Sequence, residues 1–115
     1  MFGSISFGMF LVMAAYAGDP VDDARKGFNN CLVRYTVEQL GLKTTPNAFK
    51  RAVKTSCTPE SKAFRDIIVS EEVKIGESKS DAETYADEEV QMIVDGFINS
   101  YPRHAADRTA PVEEK

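Results

Sequence analysis

Apolar side chains recur at three- and four-residue spacing along most of the chain after residue 19, and no alternating run is long enough to suggest a strand. The first such stretch holds Val21, Ala24, Phe28, Cys31, Leu32 and Tyr35, with Leu40 near its end and Val33 and Val37 widening the apolar face. Asp19-Pro20 predicts its start, an N-cap followed by proline in the first turn, and Gly41 predicts its end. Thr45-Pro46 opens a second helix in the same way, with Phe49, Ala52, Val53 and Cys57 as its stripe. Thr58-Pro59 breaks that helix and starts a third carrying Ala63, Phe64, Ile67 and Ile68, with Val73 and Ile75 as outer members. A polar turn is predicted from Gly76 to Ser80, with one continuous helix through Gly76 as the alternative, at a cost of about 1 kcal/mol for the glycine. A capping box at Ser80-Asp81-Ala82-Glu83 then opens the strongest amphipathic stretch, from Tyr85 to Tyr101. Pro102 is expected to stop it, leaving residues 102–115 as a disordered tail. The prediction is an all-α domain over residues 18–101, built as a small bundle of three or four helices.

Residues 1–17 have a different character. Every charged side chain lies after residue 18, and Ile5 to Ala17 is almost wholly apolar. The run is too short to span a bilayer comfortably. It ends in Ala15-Tyr16-Ala17 before Gly18, small residues around a larger one, the form a signal peptidase cuts. We therefore expect a signal peptide over 1–17, cleaved before Gly18, and a chain with no membrane span after cleavage. The start carries no Lys or Arg, which departs from the usual leader. A buried helix or an uncleaved anchor is the alternative.

The two cysteines, Cys31 and Cys57, form an even pair in a chain with an export signal, which reads as one disulfide in an oxidising compartment. If the first two helices are antiparallel about a loop near Lys43, the cysteines lie roughly 18 and 21 Å from the turn, at about the same level. The bridge is then expected to clamp those two helices and to stabilise the fold by roughly 3.5 kcal/mol. A redox or metal role competes, but there is no C-x-x-C pair, and the single histidine, His104, is far from both in sequence.

Charge narrows the function classes. With 18 acidic and 14 basic residues the chain carries a formal charge of −4, which disfavours a nucleic-acid partner. No Gly-rich phosphate loop, H-E-x-x-H helix or EF-hand loop occurs, so neither a cofactor nor an enzyme activity is expected. Carboxylates cluster at Glu71-Glu72 and at Glu83, Asp87, Glu88 and Glu89, and Glu83 and Asp87 share a helical face where they could act as an acid–base pair. The plainer reading is a solvated acidic face. Lys50, Arg51 and Lys54 read as a solvated basic face, or as a contact for an acidic partner or lipid headgroup. Tyr85, Phe97 and Tyr101 read as core, with a ligand groove as the alternative. Tyr85, Ile93 and Phe97 would also suit a homodimer contact.

Three segments carry a resemblance: F-x-x-C-L at Phe28 to Leu32, F-x-x-x-V-x-x-x-C at Phe49 to Cys57, and D-A-E-x-Y-A-x-E-E at Asp81 to Glu89. With the leader-like start, they make the chain similar to the small two-cysteine helical exported proteins common in alphaproteobacteria, over roughly residues 24–101. The resemblance implies a periplasmic location and a structural disulfide, and assigns no catalytic residue. The expected function is a non-enzymatic periplasmic or secreted module that binds an unknown protein partner. An acid- or stress-responsive chaperone is the first rival, because protonating the carboxylates leaves 14 Lys and Arg and one His to repel one another. A small hydrolase using the acidic face and a protein anchored by its apolar start are the others.

Overall fold

The structure, a computed structural model, describes residues 19–115, which form four helices: α1 (Pro20–Gly41), α2 (Pro46–Val53), α3 (Thr58–Lys74) and α4 (Lys79–Asp107). No strand occurs among the described residues. The proposed leader, including Ala15, Ala17 and Gly18, lies outside them. No helix of the described residues is long and apolar enough to cross a membrane.

Local chemistry explains most of the boundaries. Asp19 accepts hydrogen bonds from the backbone N–H groups of Val21 and Asp22 at 3.1 and 3.2 Å, and Pro20 follows as the first helical residue. Thr45 caps α2 through the N–H of Ala48 at 3.2 Å. The cap of α4 is Ser78 rather than Ser80: its hydroxyl accepts from the N–H of Asp81 at 3.1 Å. Gly76, at φ +106°, ends α3 so tightly that the next helix starts two residues earlier than the Ser80–Glu83 pattern predicts. Glu83 is thereby released from any capping role.

Two helix ends adopt a left-handed residue that is not glycine. Lys43 and Arg108 both have φ +56°, and the bonds Thr44 N–H to Gln39 O and Thr109 N–H to His104 O close the last turns of α1 and α4. Gly41, expected to be the stop, is the last residue of α1 instead.

Pro102 does not stop α4, and residues 102–115 are not a detached tail. The helix runs through the proline to Asp107. A proline there forfeits the bond to the Ile98 carbonyl. Packing on the preceding residue compensates. Tyr101 is 1% exposed, its ring stacks on Phe49 with centroids 4.0 Å apart, and its hydroxyl donates to the Thr44 carbonyl at 2.7 Å.

Val21 of α1 and Tyr85 of α4 line one end of the bundle, while Leu40 and Tyr101 line the other. The two helices therefore run parallel. Between them α3 runs the opposite way, from Cys57 beside Cys31 to Ile68 near Val21. The short α2 fills the second end, its Phe49 lying between Tyr35 at 5.9 Å and Tyr101. Phe28, Leu32, Val53, Phe64 and Val94 complete the core with Phe49. Each such side chain contributes about 1.5–3 kcal/mol on burial. Thr36 is buried too, and its hydroxyl donates to the Leu32 carbonyl at 2.7 Å.

The disulfide is present, with Cα atoms 6.1 Å apart, but it does not clamp α1 to α2. Cys57 lies past the end of α2, as the residue that precedes α3, so the bridge joins the middle of α1 to the start of α3. The antiparallel partner of α1 is α3. α2 stops at Val53 and residues 54–57 form a turn, closed by Thr55 N–H to Ala52 O and Ser56 N–H to Val53 O, which places Cys57 at the hinge rather than on the second helix.

Candidate functional site

Beyond Arg108 the chain turns back along α1, and residues 109–115 lie against it as a non-helical strap. Three α1 side chains hold the strap. Asn30 takes both backbone groups of Glu114: its Nδ2 donates to the Glu114 carbonyl at 2.9 Å, and its Oδ1 accepts from the Glu114 N–H at 2.8 Å. Arg25 forks onto the Glu114 carboxylate, Nη1 to Oε2 at 2.8 Å and Nη2 to Oε1 at 2.9 Å. Arg34 pairs with Glu113 at 2.8 Å. Asp22 fixes Arg25 from behind, accepting from Nε at 3.1 Å and Nη2 at 2.9 Å. These bonds raise the Arg25 pKa, that to Glu114 most and that to Asp22 next. In return, Arg25 holds the Glu114 carboxyl below its ordinary range.

Periodicity does not stack the three readers: at 3.6 residues per turn Asn30 lies about 140° and Arg34 about 180° round α1 from Arg25, so the two long arginine side chains reach the strap from its two sides. Val33 is buried, whereas Val37 is 45% exposed. On the strap itself Val112 points largely to solvent, at 85% exposure. Polar contacts, not apolar burial, hold the segment down.

Sequence reading missed this site because it singled out none of Arg25, Asn30 and Arg34 and expected residues 102–115 to be disordered. The available signal was the match between two arginines nine positions apart and the adjacent Glu113-Glu114.

The other candidates fall elsewhere. Arg65 binds Asp87 at 2.7 Å and Glu83 at 3.5 Å, so the proposed acid–base pair shares a cation between α3 and α4. Its hydrogen bond to Asp87 is the main cause of the raised Arg65 pKa. Lys50, Arg51 and Lys54 are exposed on and just beyond α2. Ile93 and Phe97 pack against the core of their own chain, which leaves Tyr85, 45% exposed, as the freest of the three proposed dimer residues. Tyr101 belongs to the core, as expected.

Each end of the bundle carries a cavity. Tyr85 overlies one of about 200 Å³, with Val21 and Ile68 beside Glu71, Glu72 and Glu89. The charge of Glu89, then partial burial, raises the Tyr85 pKa. The other, of about 900 Å³, has Lys43, His104 and Arg108 among its lining. Lys43 and Arg108 stand at the C-terminal ends of α1 and α4, where their positive charge complements the exposed carbonyls. His104 lies in α4, not in a tail, with Nδ1 3.0 Å from the Thr109 hydroxyl.

The ligand atoms of Cys31, Cys57 and Glu60 lie within 4.8 Å of one another. With both sulfurs committed to the disulfide, neither is a thiolate, the form in which cysteine binds a metal.

Comparison of the chain with protein-family models, with curated proteins and with solved structures gives no match.

Proposed function

We propose that the chain is an exported, non-enzymatic protein-binding module, acting in the periplasm or as a secreted protein after a leader ending at Ala17 is removed. The observation that carries the binding part is the strap: α1 holds a non-helical stretch of polypeptide by its main chain and its side chains together. A surface that holds one such segment has the chemistry to hold another. The disulfide supports export, since such bonds persist chiefly in oxidising compartments.

Two measurements test this. Intact mass of the protein from its native host, with and without reductant and thiol labelling, tests export. A chain starting at Gly18 and unlabelled until reduced is expected; an uncleaved chain with reactive thiols overturns that part. For binding, a photo-crosslinking residue replaces Val37 on α1 or Lys50 on α2. A partner captured from Val37 and not from Lys50 is expected. Equal capture from both, or none from either, overturns the binding role of α1.

A further inference from the structure

We propose that Arg25, Asn30 and Arg34 read an extended acidic segment of a partner protein, one with two adjacent carboxylates, and that the strap occupies this reader in cis until the partner displaces it. This rests on the protein-binding reading above and names the chemistry of the partner.

Main-chain recognition comes first. Asn30 meets the N–H and C=O of one residue, Glu114, at 2.8 and 2.9 Å. A residue presents both groups to the same side in extended backbone, where a neighbouring strand would take them. Helical segments have these groups already paired and cannot enter. Asn30 therefore selects conformation, not side chain.

The arginines select side chains. Arg25 and Arg34 are nine residues apart on α1, about 13.5 Å along the axis. Successive side chains of an extended segment point to opposite sides, so adjacent carboxylates reach both arginines while the main chain sits on Asn30 between them. Glu113 takes Arg34 and Glu114 takes Arg25. Two carboxylates separated by one residue would point the same way and could satisfy only one arginine. Arg25 arrives oriented, because Asp22 holds it, and its planar fork matches a carboxylate at two points.

The strap is built to be exchanged. Its ion pairs are exposed, where water and salt screen them and each stabilises little. Val112 is left largely in solvent. The short tether of the strap to α4 helps its polar contacts hold, by giving an effective concentration in the millimolar range. A partner segment with the same polar pattern and an apolar residue over Val37 outcompetes it.

The test uses the full chain. Glu113→Gln with Glu114→Gln releases the strap and leaves the reader intact. The probe is a synthetic peptide of residues 110–115, titrated to millimolar concentration, with a control in which both glutamates are glutamine. Its readout is the ¹H–¹⁵N signal of the Asn30 side-chain amide. The double variant is expected to bind the acidic peptide at least tenfold more tightly than the unsubstituted chain. It should ignore the glutamine peptide and lose binding when Arg25 and Arg34 are also replaced by Ala. No shift of the Asn30 signal, or equal response to both peptides, overturns the proposal. So does a concentration-dependent dimer of the unsubstituted chain whose residue 113 crosslinks to α1 of the other copy, since the occupant is then a second copy. A crosslinked partner lacking an acidic pair would overturn this inference and leave the binding function standing. Peptide binding without any partner captured from Val37 would do the reverse.

Discussion

Tyr101 donates its hydroxyl hydrogen to the carbonyl of Thr44, 57 residues away, at 2.7 Å. That bond ties the last third of α4 to the loop between α1 and α2, while the Tyr101 ring stacks on Phe49. Tyr101→Phe keeps the ring and removes the bond. It should cost about 1 kcal/mol, read as a lower denaturant midpoint with an unchanged slope. Tyr101→Ala should cost about 3–5 kcal/mol and shorten α4, because Pro102 then lacks its anchor.

Alkali should act on the same region. Burial raises the hydroxyl pKa of Tyr101, with Tyr35 adding to it, and burial followed by the charge of Glu38 raises that of Tyr35. An unfolded tyrosine ionises near pH 10 while these two stay neutral in the fold. Their stabilising effect is therefore complete below about pH 10 and is lost as pH rises through the raised values. Tyrosinate absorbance and far-ultraviolet circular dichroism should change together on alkaline titration. Tyrosinate forming well before helix loss would contradict this.

Acid should act on the strap. Arg25 lowers the Glu114 carboxyl, so docking is complete above the ordinary glutamate range and is lost as pH falls through the lowered value. The Asn30 side-chain amide signal should hold constant from neutral pH to about 4.3, the unperturbed glutamate value, and move only below it. Arg25→Lys should shift that midpoint upward, because an ammonium cannot fork across both carboxylate oxygens.

The disulfide closes a segment of sequence separation 26. Replacing both cysteines by serine should cost about 3.5 kcal/mol in equilibrium unfolding on the loop-entropy account. Since the bridge joins α1 to the start of α3, hydrogen exchange in its absence should rise first in the Lys54–Cys57 turn and in α2.

Lys43 and Arg108 each hold φ +56° without being glycine. Replacing either by glycine should stabilise by up to about 1 kcal/mol, as relief of left-handed strain exceeds the added chain entropy. Gly76→Ala, at φ +106°, should destabilise by a similar amount.

How legible was this in the sequence? Helix starts at Pro20, Pro46 and Thr58 were, because a cap and a proline act locally. So was the pairing of Cys31 with Cys57. The register of α4 was not, since Ser78 and Ser80 both precede an acid by three residues and only the turn at Gly76 chooses between them. Val37, Val73, Ile75 and Tyr85 fit the apolar pattern, yet they are exposed at 45%, 45%, 77% and 45%. A period of 3.6 fixes a face, not how far the neighbouring helix extends along it. Continuation of α4 past Pro102 depends on Tyr101 packing against Phe49, and the strap depends on ion pairs between residues some eighty positions apart. Neither leaves a local trace.

The reversal at Arg108 has a topological consequence. It carries Glu114 back to Arg25, six residues, or about 9 Å of helix, from Asp19. Residues 19 and 115 thus lie near one another, and the described residues almost close into a ring. A circular permutant that joins residue 115 to residue 19 through a short glycine linker, opened in the Gly76–Ser78 turn, would preserve all four helices and the disulfide and make the strap an internal crossing.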